Sequence, residues 1–174
     1  GSSIYLKGGE HIPLKDLVYG LMLRSGNDAA VAIACHLGGS VEGFAAMMND
    51  RAAALGLENT HFENPHGLHS DLHYTSAYDL AVIAAEGMKN ESFAAISSAK
   101  SYVSGTGENA RYFTNKNKLL WRFDGANGVK TGFTKRAGRC LVSAAKRDGM
   151  QLVAVVLNVP PMFEECASLM ENAF

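Results

Sequence analysis

Apolar positions fall at helical spacing in the first half of the chain and at strand spacing in the second. Leu14 to Leu23 predicts a helix, and a second is expected to restart at Asn27-Asp28, where an Asn or Asp can cap orphan N–H groups. Ala29, Ala30, Ile33, Ala34 and Leu37 make its apolar stripe. After the Gly38-Gly39-Ser40 break, Phe44, Met47, Met48, Ala52 and Leu55 recur at helical intervals, packing one face, with Gly56 placed as a left-handed C-terminal cap. Glu58 to Tyr74 loses the pattern to Asn, Pro, His, Gly and Asp and reads as a long loop. A helix from about Ser76 to Met88, with Leu80, Ile83 and Ala84 inward, and a short helical piece from Glu91 to Ser97 follow.

Strand signals take over beyond that point. Ser101–Val103 and Ala110–Thr114, separated by Ser104-Gly105-Thr106-Gly107, suggest a hairpin laid over the body. Cys140–Ala145 and Leu152–Val159 are Val- and Leu-rich runs joined through Asp148-Gly149, a two-residue hairpin signal, and read as adjacent central antiparallel strands. A third strand is expected near Gly128–Thr131. A last helix from about Met162 to Ala173 would cover the sheet through Phe163, Cys166, Leu169 and Met170. Helices, then strands, then a terminal helix argue for an α+β fold with helices packed on an antiparallel sheet. So thin a sheet would gain from further strands, and the abrupt start at Gly1 fits a single domain lacking its N-terminal part: about 1–98 mainly helical, about 99–174 hairpin, strands and terminal helix.

Composition narrows the function classes. Sixteen basic and 17 acidic residues leave a formal charge of −1, which gives no broad attraction to nucleic acid or an anionic membrane. No apolar run is long enough to cross a bilayer, and Gly1-Ser2-Ser3 opens no export signal. The three cysteines, Cys35, Cys140 and Cys166, sit in apolar segments and read as buried thiols. His61, His66, His69 and His73 crowd one loop, but no H-E-x-x-H or carboxylate triad accompanies them, so surface and turn histidines are expected and no metal.

Two short motifs could carry chemistry. Ser25-Gly26-Asn27 falls between two predicted helices, so a hydroxyl and an amide can project from one short loop; alone it also reads as a helix cap. Lys130-Thr131-Gly132 ends a β-like stretch and precedes Phe133; lysine and threonine together can bind a carboxylate, while glycine admits a close backbone approach. Alone, it also reads as a protected strand edge. In this order they match two of the three elements S-x-x-K, S-x-N and K-T-G of the penicillin-interacting serine enzymes. Leu17 to Ala30, Leu55 to Leu68 (with Asn64-Pro65-His66-Gly67-Leu68), Asn117 to Trp121 and Gly128 to Gly132 add to the likeness. From about Ile4 to Phe174 the chain resembles the low-molecular-mass penicillin-binding proteins, serine-type D-alanyl-D-alanine carboxypeptidases.

That resemblance implies a β-lactamase/transpeptidase-like fold and an acyl-enzyme reaction on peptidoglycan stem peptides, with β-lactams as acylating inhibitors and no cofactor. It implies catalytic roles for Ser25 and Lys130 in relaying a proton to the leaving D-alanine. Asn27 would bind the substrate amide, Lys130 and Thr131 the terminal carboxylate, Gly132 would admit the substrate, and the Phe133 N–H would donate to the oxyanion. For this to work, the loop hydroxyl and amide must face the lysine across a shared groove. It also implies an extracytoplasmic location, with any membrane attachment through segments outside this chain. No S-x-x-K tetrad is expected to fit: only a couple of dozen residues precede Ser25, Ser98-Ala99-Lys100 has the wrong spacing, and Ser101 to Ser104 offers no lysine. The nucleophile and its lysine are therefore expected outside this chain, which alone should be inactive. Some relatives present an arginine after the last strand, where Asn158 to Glu165 carries Val-Pro-Pro-Met-Phe. The alternatives are a catalytically silent homologue that binds peptidoglycan or a partner and, less well matched, a class A β-lactamase, whose Glu-x-x-Leu-Asn segment is not seen in the loop.

Overall fold

The computed structural model describes all 174 residues, which form two compact units interleaved along the chain. Gly1–Tyr74 and Ala99–Asn115 make the first unit, Thr75–Ser98 and Lys116–Phe174 the second.

The first unit holds helices α1 (Leu14–Arg24), α2 (Asn27–Gly38) and α3 (Val41–Ala54) and the hairpin β1 (Ser101–Ser104) and β2 (Arg111–Thr114). Leu23, Ala29 and Phe113 pack with Ile4 in its core, so the hairpin lies on α1 as the sequence pattern suggested. A buried carboxylate reinforces that contact: Asp16 of α1 accepts hydrogen bonds from Tyr102 Oη and Ser104 Oγ, both at 2.7 Å. Accepting from nothing but hydroxyls, Asp16 draws the Tyr102 phenol's pKa up to about 12. α3 begins at Ser40, whose side chain accepts from Gly43 N–H, and stops before Gly56, which takes the left-handed conformation expected of it.

In the second unit α4 (Ala77–Met88) starts on a Ser76 cap, and α5 (Glu91–Ser98) and the one-turn α6 (Leu119–Arg122) follow. The sheet runs β3-β4-β5, all antiparallel, with β3 at Ala126–Thr134, β4 at Gly138–Arg147 and β5 at Met150–Val156. β4 and β5 turn at Asp148-Gly149, both at positive φ. β4 and β5 are adjacent antiparallel strands, as expected, and β4 is the middle one of the three. One sheet face packs on α7 (Met162–Ala173), joining Leu141, Ala145 and Val156 to Met162, Cys166 and Met170; α4 and α5 pack on the sheet through Ala144, Gly128 and Met88.

Several inward assignments fail because helical period alone does not fix how wide a covered stripe is. Leu37, Met47 and Leu169 are each about half exposed, whereas Ala45 and Ala52 carry the buried face of α3. Cys35 is exposed and Cys140 partly buried; only Cys166 is a core thiol, its pKa raised by that burial.

Candidate active site

Ser25 and Asn27 come from one tight connection. α1 ends with Ser25 at φ 59°, ψ 39°, its N–H bonded to Leu21 O, and the Gly26 N–H reaches back to Gly20 O. The left-handed region costs a non-glycine residue on the order of 1–2 kcal/mol, and such outliers concentrate where function fixes a side chain. Gly26 cannot be replaced easily: a Cβ there would meet Ile4 Cγ2 at 3.0 Å and Asp28 Oδ1 at 3.1 Å.

The residue that organises this corner is Asp28. The sequence pattern offered it only as a helix cap, but the cap of α2 is Gly26 with no side-chain bond. Instead the Asp28 carboxylate accepts from Ser3 Oγ at 2.6 Å and from the N–H groups of Ile4, Leu6 and Ala29. Burial pushes its pKa up, but the Ser3 hydroxyl and these amides outweigh that and lower it. The segment so held returns Ser2 O to the Asn27 N–H at 2.9 Å. Arg111 completes the fastening with Glu10 and with the carbonyls of Ile4 and Tyr5. Its guanidinium holds the Glu10 pKa down at about 2. Asn27 and Asp28 line a cleft of about 650 Å³, walled by Leu6, Ile12, Leu17, Val31 and Leu68 and reached by His66 from the long loop.

That loop is built from its own imidazoles. His73 Nδ1 accepts from the Glu63 N–H at 3.0 Å, His66 Nδ1 from the Leu68 N–H at 3.2 Å, and His61 Nδ1 lies 2.7 Å from Leu72 O. Asn49 of α3 clamps both the N–H and the C=O of Phe62.

In the second unit Lys130, Thr131, Gly132 and Phe133 are consecutive on β3. The start of the strand is pinned by two buried side chains: Asn117 Nδ2 donates to Gly128 O at 2.8 Å while its Oδ1 accepts the Leu119 N–H, and Ser97 Oγ lies 3.2 Å from Asn127 O. β4 reveals how β3 is turned. Lys146 N–H bonds Gly125 O on one side of β4, and Arg139 O accepts the Val159 N–H on the other. Strand alternation then directs the odd-numbered residues of β4 toward β5. Thr131 and Phe133 stand opposite Leu141 and Arg139, so their N–H and C=O groups point away from β4, off the edge of the ladder. Consistent with that, Lys130 Nζ donates to Thr131 O at 2.9 Å. Burial, reinforced by Lys116 nearby, pushes the Lys130 amine down to about 8. The strand therefore combines a titratable amine, a hydroxyl and outward backbone donors.

The chain does contain Ser-x-x-Lys sequences, contrary to the expectation that none could be found. Ser97-Ser98-Ala99-Lys100 and Ser143-Ala144-Ala145-Lys146 both fit the pattern. Neither can act as a nucleophile, because both serines are wholly buried and engaged, Ser97 with Ala94 O and Ser143 with Ala154 O. α5 also stops at Ser98, before Lys100, and a strand puts Ser143 and Lys146 on opposite faces.

Comparison with known proteins decides the family. The profile described as D-alanyl-D-alanine carboxypeptidase, Peptidase S11, matches residues 1–161. The chain belongs to this carboxypeptidase family. The D-alanyl-D-alanine carboxypeptidase DacF of Bacillus subtilis is 41% identical over 157 residues, covering 90% of this chain and 40% of the relative. DacA of Escherichia coli is 40% identical over 162 residues, with 90% and 39% covered. Among solved structures, DacD of Francisella tularensis superposes with a TM-score of 0.93 at 33% identity, covering 99% of this chain and 55% of that one. The Streptomyces K15 DD-transpeptidase gives 0.91 at 36%, with 99% and 71% covered. The α+β, transpeptidase-like fold is that of these carboxypeptidase-family structures. The chain spans about two fifths of the length of the curated relatives it matches.

Proposed function

We propose that this chain forms part of a serine-type D-Ala-D-Ala carboxypeptidase that trims peptidoglycan stem peptides outside the cytoplasmic membrane through an acyl-enzyme. The observation that carries the reading is the K-T-G strand of a carboxypeptidase-family chain, with the N–H groups of Thr131 and Phe133 turned off the ladder edge. Lys130 and Thr131 bind the terminal carboxylate, Gly132 admits the peptide, and the Phe133 N–H donates to the oxyanion of the tetrahedral intermediate. Asn27 holds the substrate amide. Ser25 and Lys130 pass a proton to the departing D-alanine amine, a task suited to an amine whose pKa is pushed down to about 8.

The attacking serine belongs to a Ser-x-x-Lys beyond residues 1–174, because the serines of both tetrads within the chain are buried. Residues 1–174 by themselves are expected to release no D-alanine and to take no penicillin. The test is D-alanine release from an acylated D-Ala-D-Ala peptide by the longer protein. Ser25→Ala or Lys130→Ala should lower kcat/KM by at least about a hundredfold, the size typical of a lost proton-transfer group. Full activity in both variants would overturn these roles, and a longer protein that binds peptide without releasing D-alanine would establish the silent homologue instead.

A further inference from the structure

We infer that the loop from His61 to Tyr74 is an acid-sensitive latch on the cleft beside Asn27, held shut by two unprotonated imidazoles, His66 and His73, and released when both take up a proton. The latch needs no substrate, so it holds whether or not the peptide reading above does.

Hydrogen-bond roles supply the first observation. The loop is closed at its base by the pairing of His61 with Tyr74, whose two backbone bonds run 2.9 and 3.0 Å. Inside it, the N–H groups of Glu63 and Leu68 find imidazole acceptors, His73 Nδ1 at 3.0 Å and His66 Nδ1 at 3.2 Å. A backbone N–H can donate only to a bare ring nitrogen, so both rings are neutral with their proton on Nε2. A proton added to Nδ1 turns each acceptor into a donor facing a donor. The other two imidazoles differ. His61 Nδ1 faces the Leu72 carbonyl and, at 3.5 Å, Glu63 Oε1, while His69 Nε2 faces Asp71 Oδ1. Those rings gain a proton without losing a bond.

Charge around the two rings supplies the second. His73 packs edge-on against Phe62, and the groups that face it are His61, His66 and Glu63. α3 meets the loop through the neutral Asn49 on Phe62, with Asp50 and Arg51 next along the helix. His66 lines the cleft together with Lys7, Glu10 and Asp28. Both of those carboxylates are already engaged, Glu10 by Arg111 and Asp28 by Ser3 and backbone amides. Burial weakens the hold of both rings on a proton, and the charged rings would repel each other.

Position supplies the third. His66 and Leu68, tied together by the bond that protonation breaks, stand in the cleft wall with Ile12 and Val31. Losing the acceptor therefore frees the wall itself. Because the shut loop binds protons more weakly than an open one, acid favours the open form. Each pH unit below about 6.5 raises the open-to-shut ratio by up to about tenfold per ring, about a hundredfold for the pair, until the lowered values are reached.

The experiment follows the 174-residue chain by NMR between neutral and mildly acid pH. At neutral pH, long-range nitrogen–proton correlations should show His66 and His73 protonated on Nε2 and His61 on Nδ1. In acid, the Leu68 amide should lose at least about tenfold in exchange protection, the effect of one ring. A neutral, soluble relaxation agent should then broaden the methyl signals of Ile12, Val31 and Leu68, while those of the buried Leu141 stay sharp. His66→Asn with His73→Asn places at each Nδ1 position an oxygen that accepts at every pH, and should abolish the acid response. His69→Asn should leave it intact. The latch is refuted if His66 and His73 titrate while the Leu68 amide and the cleft methyls do not change, a result read on the unaltered chain alone. It is refuted equally if the folded double variant opens in acid as the unaltered chain does.

Discussion

Replacing Asn117 by alanine tests how the K-T-G strand is held. Asn117 is almost wholly buried, as is the glycine whose carbonyl it serves. Its amide donates to Gly128 O at 2.8 Å, and its carbonyl accepts the Leu119 N–H at 3.1 Å. The alanine variant removes both bonds and opens a small hole in their place. Each buried group left without that partner costs about 1–3 kcal/mol, so the two together give about 3–5 kcal/mol once partial relaxation is allowed. That is a large share of a total stability on the order of 5–15 kcal/mol. Asn127→Ala, which deletes two solvent-exposed bonds with Gln151, is the control and should cost below about 1 kcal/mol. Urea unfolding followed by circular dichroism reads both midpoints at equal m-value. A cost for Asn117→Ala under about 1 kcal/mol, or equal to the control, would refute the claim that this amide fixes the start of β3.

Further outcomes follow from individual side chains. Asp28→Asn should lower stability at neutral pH by about 1–3 kcal/mol, because the carboxylate loses charge toward the amides it accepts from. In the unaltered chain that contribution is present above the unfolded carboxyl pKa and is lost as pH falls through the lowered folded value, so the variant should show a flatter acid limb in pH-dependent melting. His73 is held neutral by burial first and by repulsion from His66, with Glu63 opposing, and its Nδ1 accepts the Glu63 N–H. Stability from it is complete above about pH 6.5 and is lost as pH drops toward the lowered folded pKa, so the Glu63 amide should lose hydrogen-exchange protection at pH 5 relative to pH 7. Lys130 should release its proton near pH 8, and affinity for an N-acetylated D-Ala-D-Ala peptide should fall as pH rises through that value, whereas Lys130→Arg should hold it to higher pH. Because the unfolded lysine keeps its proton to about 10.4, stability should climb between the two values.

The order of the main helices and strands was legible because each rests on a local rule. The strand bounds were not: β3 runs Ala126–Thr134, β4 runs Gly138–Arg147, β5 ends at Val156, and the one-turn α6 had no signal. The α7 bounds Met162–Ala173, the Asp148-Gly149 turn and the left-handed Gly56 all follow from spacing or from glycine's conformational freedom. Which faces are covered was less so: Leu37, Met47 and Leu169 lie on the expected stripes but at their margins, where packing partners decide. The motif residues themselves were readable as Ser25-Gly26-Asn27 and Lys130-Thr131-Gly132, but their supports were not. Asp28 grips a segment more than twenty residues away, and Asn117 and Ser97 reach β3 from separate helical regions, contacts that no local period encodes. The two buried Ser-x-x-Lys tetrads show the reverse failure, a pattern that fits while burial forbids its chemistry.

Mapping the site of a fluorescent penicillin by peptide mass spectrometry on the longer protein tests the central claim most directly. The account predicts a single covalent adduct on a Ser-x-x-Lys serine outside residues 1–174, formed more slowly after Lys130→Ala. An adduct on Ser25, Ser97 or Ser143, or labelling undiminished by Lys130→Ala, would contradict it.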